Sequence, residues 1–373
     1  MQLAALATVK NRIVLGRPLP FNVRSADHTL LLARGHRLES AEQLQALVAR
    51  GALVDVAELL SAREQIRHAP RAQLAALWRE HSAQVGQVMR QTDHPSFRAA
   101  LDEAAAPMLQ LVERDPDLAI FQVMREGANP DTDYGLGRSL HCAVTSLLVA
   151  QRLAWAPEDA ARAFKVALTM NLSMLELQGQ LARQRTPPTP EQRSDLRTHP
   201  MRSVIMLEMA GVNDADWLHA VLHHHECDDG SGYPSGATTS TIGDLAALAR
   251  RADLYTAKLA SRSTRDALHA DLAGRQMFMQ DPGHPMTAAL VREFGIYPPG
   301  CHVRLVSGEV GIVVARGPTI TTPIVACLTN PRGAPLPAPL RVDTSDRKHA
   351  VEAVVGEGSV NVRPSLETLL ALG

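Results

Sequence analysis

Aromatic residues make up only 3% of this 373-residue chain, cysteines number four, and the formal net charge is -1. Each shortage excludes something. With so few aromatics, a hydrophobic content of 45% means that Leu, Ala, Val and Met must fill the core. Cys142, Cys227, Cys301 and Cys327 have neither Cys-x-x-Cys pairing nor disulfide-framework spacing, so they fit a reducing compartment, and a cytoplasmic location is expected. A near-neutral charge balance leaves no basic footprint for a nucleic-acid groove or an acidic membrane surface. No run reaches the ~18 apolar residues of a membrane span, and no basic segment followed by an apolar one opens the chain. A soluble intracellular protein is expected, with neither nucleic acid nor membrane as partner.

At roughly 100–200 residues per domain, the length allows two or three domains. Residues 1–58 read as a small strand–turn–strand–helix unit. Leu19 to Val23 and Thr29 to Leu32 are its strands, Ser40-Ala41-Glu42-Gln43 has capping-box form, and Gly51 stops the helix. Residues 59–115 are helical by pattern, are expected to be broken at Pro70, Pro95, Pro107 and Pro116, and suit a connector or a dimerising helix pair. From 116 to 295 helical periodicity dominates. A polar loop is expected at Asn129 to Tyr134, an apolar helix from Leu140 to Leu153, and further helices at Glu191 to Ala210, Ala215 to His223, Ile242 to Ala260 and Met286 to Phe294. Residues 296–373 change texture, with β-branched clusters at Val303 to Val306, Gly311 to Ala315 and Ile324 to Leu328 between Gly and Pro turns. The expected fold class is mainly α: a helical bundle with a small N-terminal α/β unit and a short C-terminal β tail.

One stretch concentrates the chemistry: His223-His224-His225-Glu226-Cys227-Asp228-Asp229-Gly230-Ser231-Gly232-Tyr233-Pro234. Adjacent imidazoles at a helix end run into a turn that cannot continue the helix, because Gly costs roughly 1 kcal/mol there and Asp and Ser compete for its backbone. Neutral imidazole is the commonest metal ligand, and an ion so held suits a phosphate-rich substrate.

This stretch resembles the His-His-Glu-x-x-Asp-Gly-x-Gly-Tyr-Pro signature of the HD-GYP domain, a branch of the HD phosphohydrolase superfamily. His224, His225, Glu226, Asp229, Gly230, Gly232, Tyr233 and Pro234 all match. The small unit ahead of it and the β tail behind it are also similar to what flanks HD-GYP helices. The resemblance implies metal-dependent hydrolysis of cyclic di-GMP, with His141, His199, His224, His225 and Asp253 as metal ligands. It also implies that Tyr233 and Arg262 meet the substrate.

The same resemblance exposes four departures. Met170 and Asn171 stand where the family has its namesake His-Asp dyad, Met174 replaces a Lys, and Gly137 falls where an acidic ligand is expected. An amide oxygen is no anionic bridge, and a thioether is a poor ligand for iron- or manganese-class ions. The expectation is therefore a degenerate site holding at most one divalent ion, or none, with no catalytic residue assigned. The function implied is binding of cyclic di-GMP or of a partner such as a diguanylate cyclase domain, as a monomer or homodimer, with little or no hydrolysis. The alternatives are an active phosphodiesterase giving pGpG or GMP, and a purely structural zinc site.

Overall fold

The structure, a computed structural model, describes residues 3–126 and 133–373. The expected polar loop therefore lies, from Asn129 to Thr132, outside the described residues. The chain divides into two compact units, Met1–Ala69 and Pro70–Gly373.

The first unit is a four-stranded antiparallel sheet in the order Leu3–Ala5, Leu53–Asp55, Val23–Arg24, Leu30–Leu32. Leu6, Leu19, Phe21, Val23, Leu38, Ala52 and Val54 form its core. Only the end of the expected Leu19 to Val23 strand pairs. Pro18 and Pro20 carry no N–H for a ladder, and the Leu19 N–H is spent on the His36 carbonyl. The helix Ala41–Ala49 is capped as its sequence suggests, with Ser40 Oγ accepting from the Gln43 N–H. Gly51 ends the turn that follows it at a φ of +67°.

In the second unit, the helices Arg71–Met89 and Phe97–Arg114 pack on each other. The second runs straight through Pro107, contrary to the break expected there. Leu101, Ala104, Ala105, Met108 and Leu111 form one buried stripe across it, which offsets the lost i→i−4 hydrogen bond. At the centre lies Tyr134–Arg152, buried on nearly every side, with Pro116–Glu126, Pro157–Thr169, Leu175–Arg183, Asp244–Leu259 and Pro285–Phe294 packed around it. A Cβ at Gly135 would overlap the Leu175 backbone, so only glycine allows those two helices to approach so closely.

Pro190–Met209 opens on a capping box made by Thr189 and Gln192, and Ala215–His223 on an Asp214 cap. The helix expected from Ile242 begins instead at Asp244, because Gly243 at a φ of +74° separates it from the short turn Thr239–Ile242. Among the described residues, no helix is long and apolar enough to cross a membrane.

The C-terminal tail is a five-stranded antiparallel sheet in the order Pro335–Asp343, Ile324–Thr329, Val310–Ala315, His302–Leu305, Val351–Val355. The central strands are buried on both faces, against Phe121, Val360 and Leu369 on one and Cys301, Val303 and Leu305 on the other.

His302 in this sheet is 7% exposed. Burial pushes its imidazole down to about 4, with Arg125 adding to the shift and Glu357 opposing it. In the unfolded chain the ring takes up a proton near ~6.5. Between these values the unfolded state binds more protons, so the contribution to stability is whole above ~6.5. It falls by about 1.4 kcal/mol per unit as the pH drops towards the folded value. His302→Gln is expected to flatten the acid limb of a thermal-melt profile over that window. An unchanged limb would mean that the ring titrates alike in both states.

Candidate metal centre

Three imidazoles meet where the middle of one helix passes the C-terminal end of another. His199 comes from Pro190–Met209, His224 caps Ala215–His223, and His225 follows it. One nitrogen from each lies within 4.8 Å of the others. His199 Nδ1 donates to the Leu196 carbonyl and His224 Nδ1 to the Val221 carbonyl, each at 2.7 Å. A carbonyl can only accept, so these contacts place the ring protons on Nδ1 and leave both Nε2 atoms as bare lone pairs. Those two Nε2 atoms face each other at 3.1 Å.

Burial keeps the cluster uncharged. It pushes His199 and His224 down to about 3, helped by repulsion from neighbouring imidazoles, and His225 to about 4. Facing lone pairs repel unless a cation lies between them. Imidazole nitrogens bound at ~2.0–2.1 Å to one ion stand roughly 3–3.4 Å apart. The donor set fits a first-row divalent ion.

The remaining signature residues shape the loop that carries His225. The Glu226 side chain is buried, and its Oε1 accepts from the Ser235 N–H and Oγ at 2.7 and 2.8 Å. Asp229 accepts from the Ser231 N–H and Oγ, and Gly230 turns at a φ of +77°. Tyr233, joined to Pro234 by a cis peptide bond, stacks on the His225 ring with centroids 4.7 Å apart. A Cβ at Gly232 would overlap backbone atoms of His225, Glu226 and Cys227. Gly232→Ala is therefore expected to displace His225, lowering the melting temperature by several degrees and weakening divalent-ion binding at least tenfold. Unchanged melting and metal titration would show that the loop absorbs a methyl group.

A cavity of about 460 Å³ opens beside the cluster, lined by His199, His225, Tyr233, Asp253, Met174 and Arg262 among others. Arg262 lies beyond the end of Asp244–Leu259 rather than within the helix, in a turn that it closes with Arg265. Asp253 does project from that helix. Its neighbours on the same helix, Arg250 and Arg251, are engaged elsewhere: Arg250 with Cys227 Sγ at 3.2 Å, Arg251 with Asp281 and Asp228. Asp253 is held instead by Arg138 from the central helix. Burial works to raise the Asp253 carboxyl, but Arg138, then His225 and His224, outweigh it and hold it below the usual carboxylate range.

Sequence reasoning missed Arg138. The available signal was a lone charge three residues before His141, inside an otherwise apolar helix.

His141 does not line this cavity. It is buried on the wall of a neighbouring one, with Gly137, and Arg138 borders both. Met170 and Asn171 are 0% and 1% exposed, and Asn171 Oδ1 is buried without a hydrogen-bond partner among the described residues.

Helices delivering a histidine cluster and a carboxylate to one cleft, with a Gly-Tyr-Pro loop at its edge, define an HD-type domain. Residues 124–279 match the HD domain family model. The chain is 29% identical over 304 residues to the cyclic di-GMP phosphodiesterase PA4108 of Pseudomonas aeruginosa, covering 79% of this chain and 70% of that protein. Its fold is similar to that of Bd1817, a HDG"Y"P protein from Bdellovibrio bacteriovorus, with a TM-score of 0.51 and 13% identity over 78% of this chain and 97% of the other. Residues 124–279 carry the HD domain, and the relatives support placing it with the HD-GYP proteins.

Proposed function

We propose that this chain is a cyclic di-GMP signalling protein that binds the cyclic dinucleotide with little or no hydrolysis. The observation that carries the reading is the burial of Met170 and Asn171 at the dyad positions. Neither side chain supplies an anion to bridge two ions, and the carboxylate of Asp253 is already paired with Arg138. His199, His224 and His225 would hold one divalent ion of the iron or manganese class. Such an ion supplies Lewis-acid neutralisation of a phosphoryl oxygen.

The chain's own residues provide the rest of the recognition. Arg262 and Arg185 line the cavity as cations for phosphodiester oxygens, and Tyr233 offers an aromatic wall. The exposed Ser231, Pro234 and Ser235 of the loop are the face that this reading offers to a diguanylate cyclase domain.

Retention of the three-histidine cluster favours a second reading, an active phosphodiesterase that yields pGpG or GMP with a reduced metal set. Calorimetric titration with cyclic di-GMP tests the first. Binding by the wild type, weakened at least tenfold by Arg262→Ala, is expected. Equal binding by the two proteins, or none by either, would overturn it.

A further inference from the structure

Arg138 is the one charged residue inside the central helix, whose only other charged residue is its last, Arg152. Its side chain is 5% exposed. Nη2 donates to Asp253 Oδ1 and to the Asp253 backbone carbonyl, while Nη1 is buried with no hydrogen-bond partner among the described residues. Packing alone does not account for this arrangement, because a buried ion pair gains little over a well-packed apolar pair and here leaves a donor unmet. Position accounts for it better. With Tyr134, Arg138 forms wall common to two cavities, one lined by His141 and the other by His199, His225 and Asp253.

We infer that Arg138 is a built-in cation that claims Asp253 ahead of any metal, so that the histidine cluster takes its ion without that carboxylate. This rests on the metal-centre reading above and adds to it what sets the charge and the ion count. Asp253 is the carboxylate nearest in role to a ligand, and a guanidinium, which does not deprotonate, neutralises it permanently. A divalent ion entering beside Asp253 would have to displace that guanidinium into a pocket wall where, among the described residues, no other carboxylate is paired to it. It would also meet a fixed positive charge rather than a free anion. The site is thereby left with three neutral imidazoles beside an Arg138–Asp253 ion pair that carries no net charge.

The test is a metal titration, with manganese and with zinc, on the full chain, with bound ions counted by elemental analysis. Wild type is expected to bind one ion at most. Arg138→Met releases Asp253 and is expected to tighten binding at least tenfold. The double variant Arg138→Met, Asp253→Asn removes both charges and is expected to return within threefold of wild type. Arg138→Met leaves a buried carboxylate unpaired and puts the fold at risk, but the double variant does not, so its affinity decides even if the single variant fails. A hundredfold loss in the double variant would show that Asp253 is a ligand in the wild type and would overturn the inference. So would an Arg138→Met protein that folds and binds no tighter. Should wild type bind no ion, a gain in Arg138→Met still supports the inference, and none in either overturns it. Binding of cyclic di-GMP, titrated separately, decides the functional reading.

Discussion

His199→Ala and His224→Ala are each expected to lower the affinity for a first-row divalent ion at least 100-fold, about 2.7 kcal/mol. The basis is the pair of Nε2 lone pairs 3.1 Å apart, each ring locked by a backbone carbonyl behind it. Such carbonyls fix tautomer and orientation before the metal arrives, so losing one ring removes a preorganised ligand rather than a mobile one. The metal-free protein should lose less than a buried large-to-small change ordinarily costs, about 2–5 kcal/mol, because the substitution also relieves the repulsion between the facing nitrogens. His141→Ala is the control. Its ring lines the neighbouring cavity, beyond Arg138, and its loss is expected to change ion affinity less than threefold. Calorimetry with manganese checks all three variants. A loss for His141→Ala equal to that for His199→Ala would place the ion elsewhere.

Restoring hydrolysis is expected to need several changes together, and the structure adds one to those that the sequence suggests. Met170→His with Asn171→Asp rebuilds the dyad, Met174→Lys returns a cation to the cavity wall, and Gly137→Glu supplies a carboxylate. A Cβ at Gly137 meets nothing within 4 Å, so the helix accepts a side chain there. Replacing Gly within a helix also favours the fold by up to about 1 kcal/mol. Yet with Arg138 still on Asp253, the rebuilt site would lack a free carboxylate on that side. Arg138→Met in the same chain is therefore expected to matter as much as the dyad. The prediction is cyclic di-GMP turnover at least 100-fold above a His224→Ala, His225→Ala background in the five-fold variant, with each single reversion silent, because ligands that act as a unit are strongly non-additive. Turnover by the four-fold variant that keeps Arg138 would show that the guanidinium is no obstacle.

The fold class was legible because Leu, Ala and Val recur at helical spacing through the middle of the chain and β-branched clusters follow Gly295. What the sequence hid has particular causes. The helix Ala270–Gln280 carries Gly274, a poor helix former that is tolerated because it packs on Val291. The edge strand Pro335–Asp343 contains Pro335, Pro337 and Pro339, which suit an edge but read as a loop.

At the site, the His-His-Glu run and the Gly-Tyr-Pro turn were legible through their resemblance to the HD-GYP signature. Their division of labour was not. That Glu226 holds Ser235 rather than facing the cavity is a matter of tertiary hydrogen bonding. The pairing of Arg138 with Asp253 spans 115 residues, and no periodicity encodes such a pair. The same holds for the separation of His141 from the other histidines, which depends on which side of a buried arginine each ring falls.

The most direct test of the central claim is product formation from cyclic di-GMP by the wild-type chain loaded with manganese or iron, with bound ions counted on the same sample. No pGpG or GMP above that formed by the His224→Ala, His225→Ala variant is expected, and no more than one ion per chain. Sustained turnover that the variant abolishes, or two tightly held ions, would contradict it and establish an active phosphodiesterase.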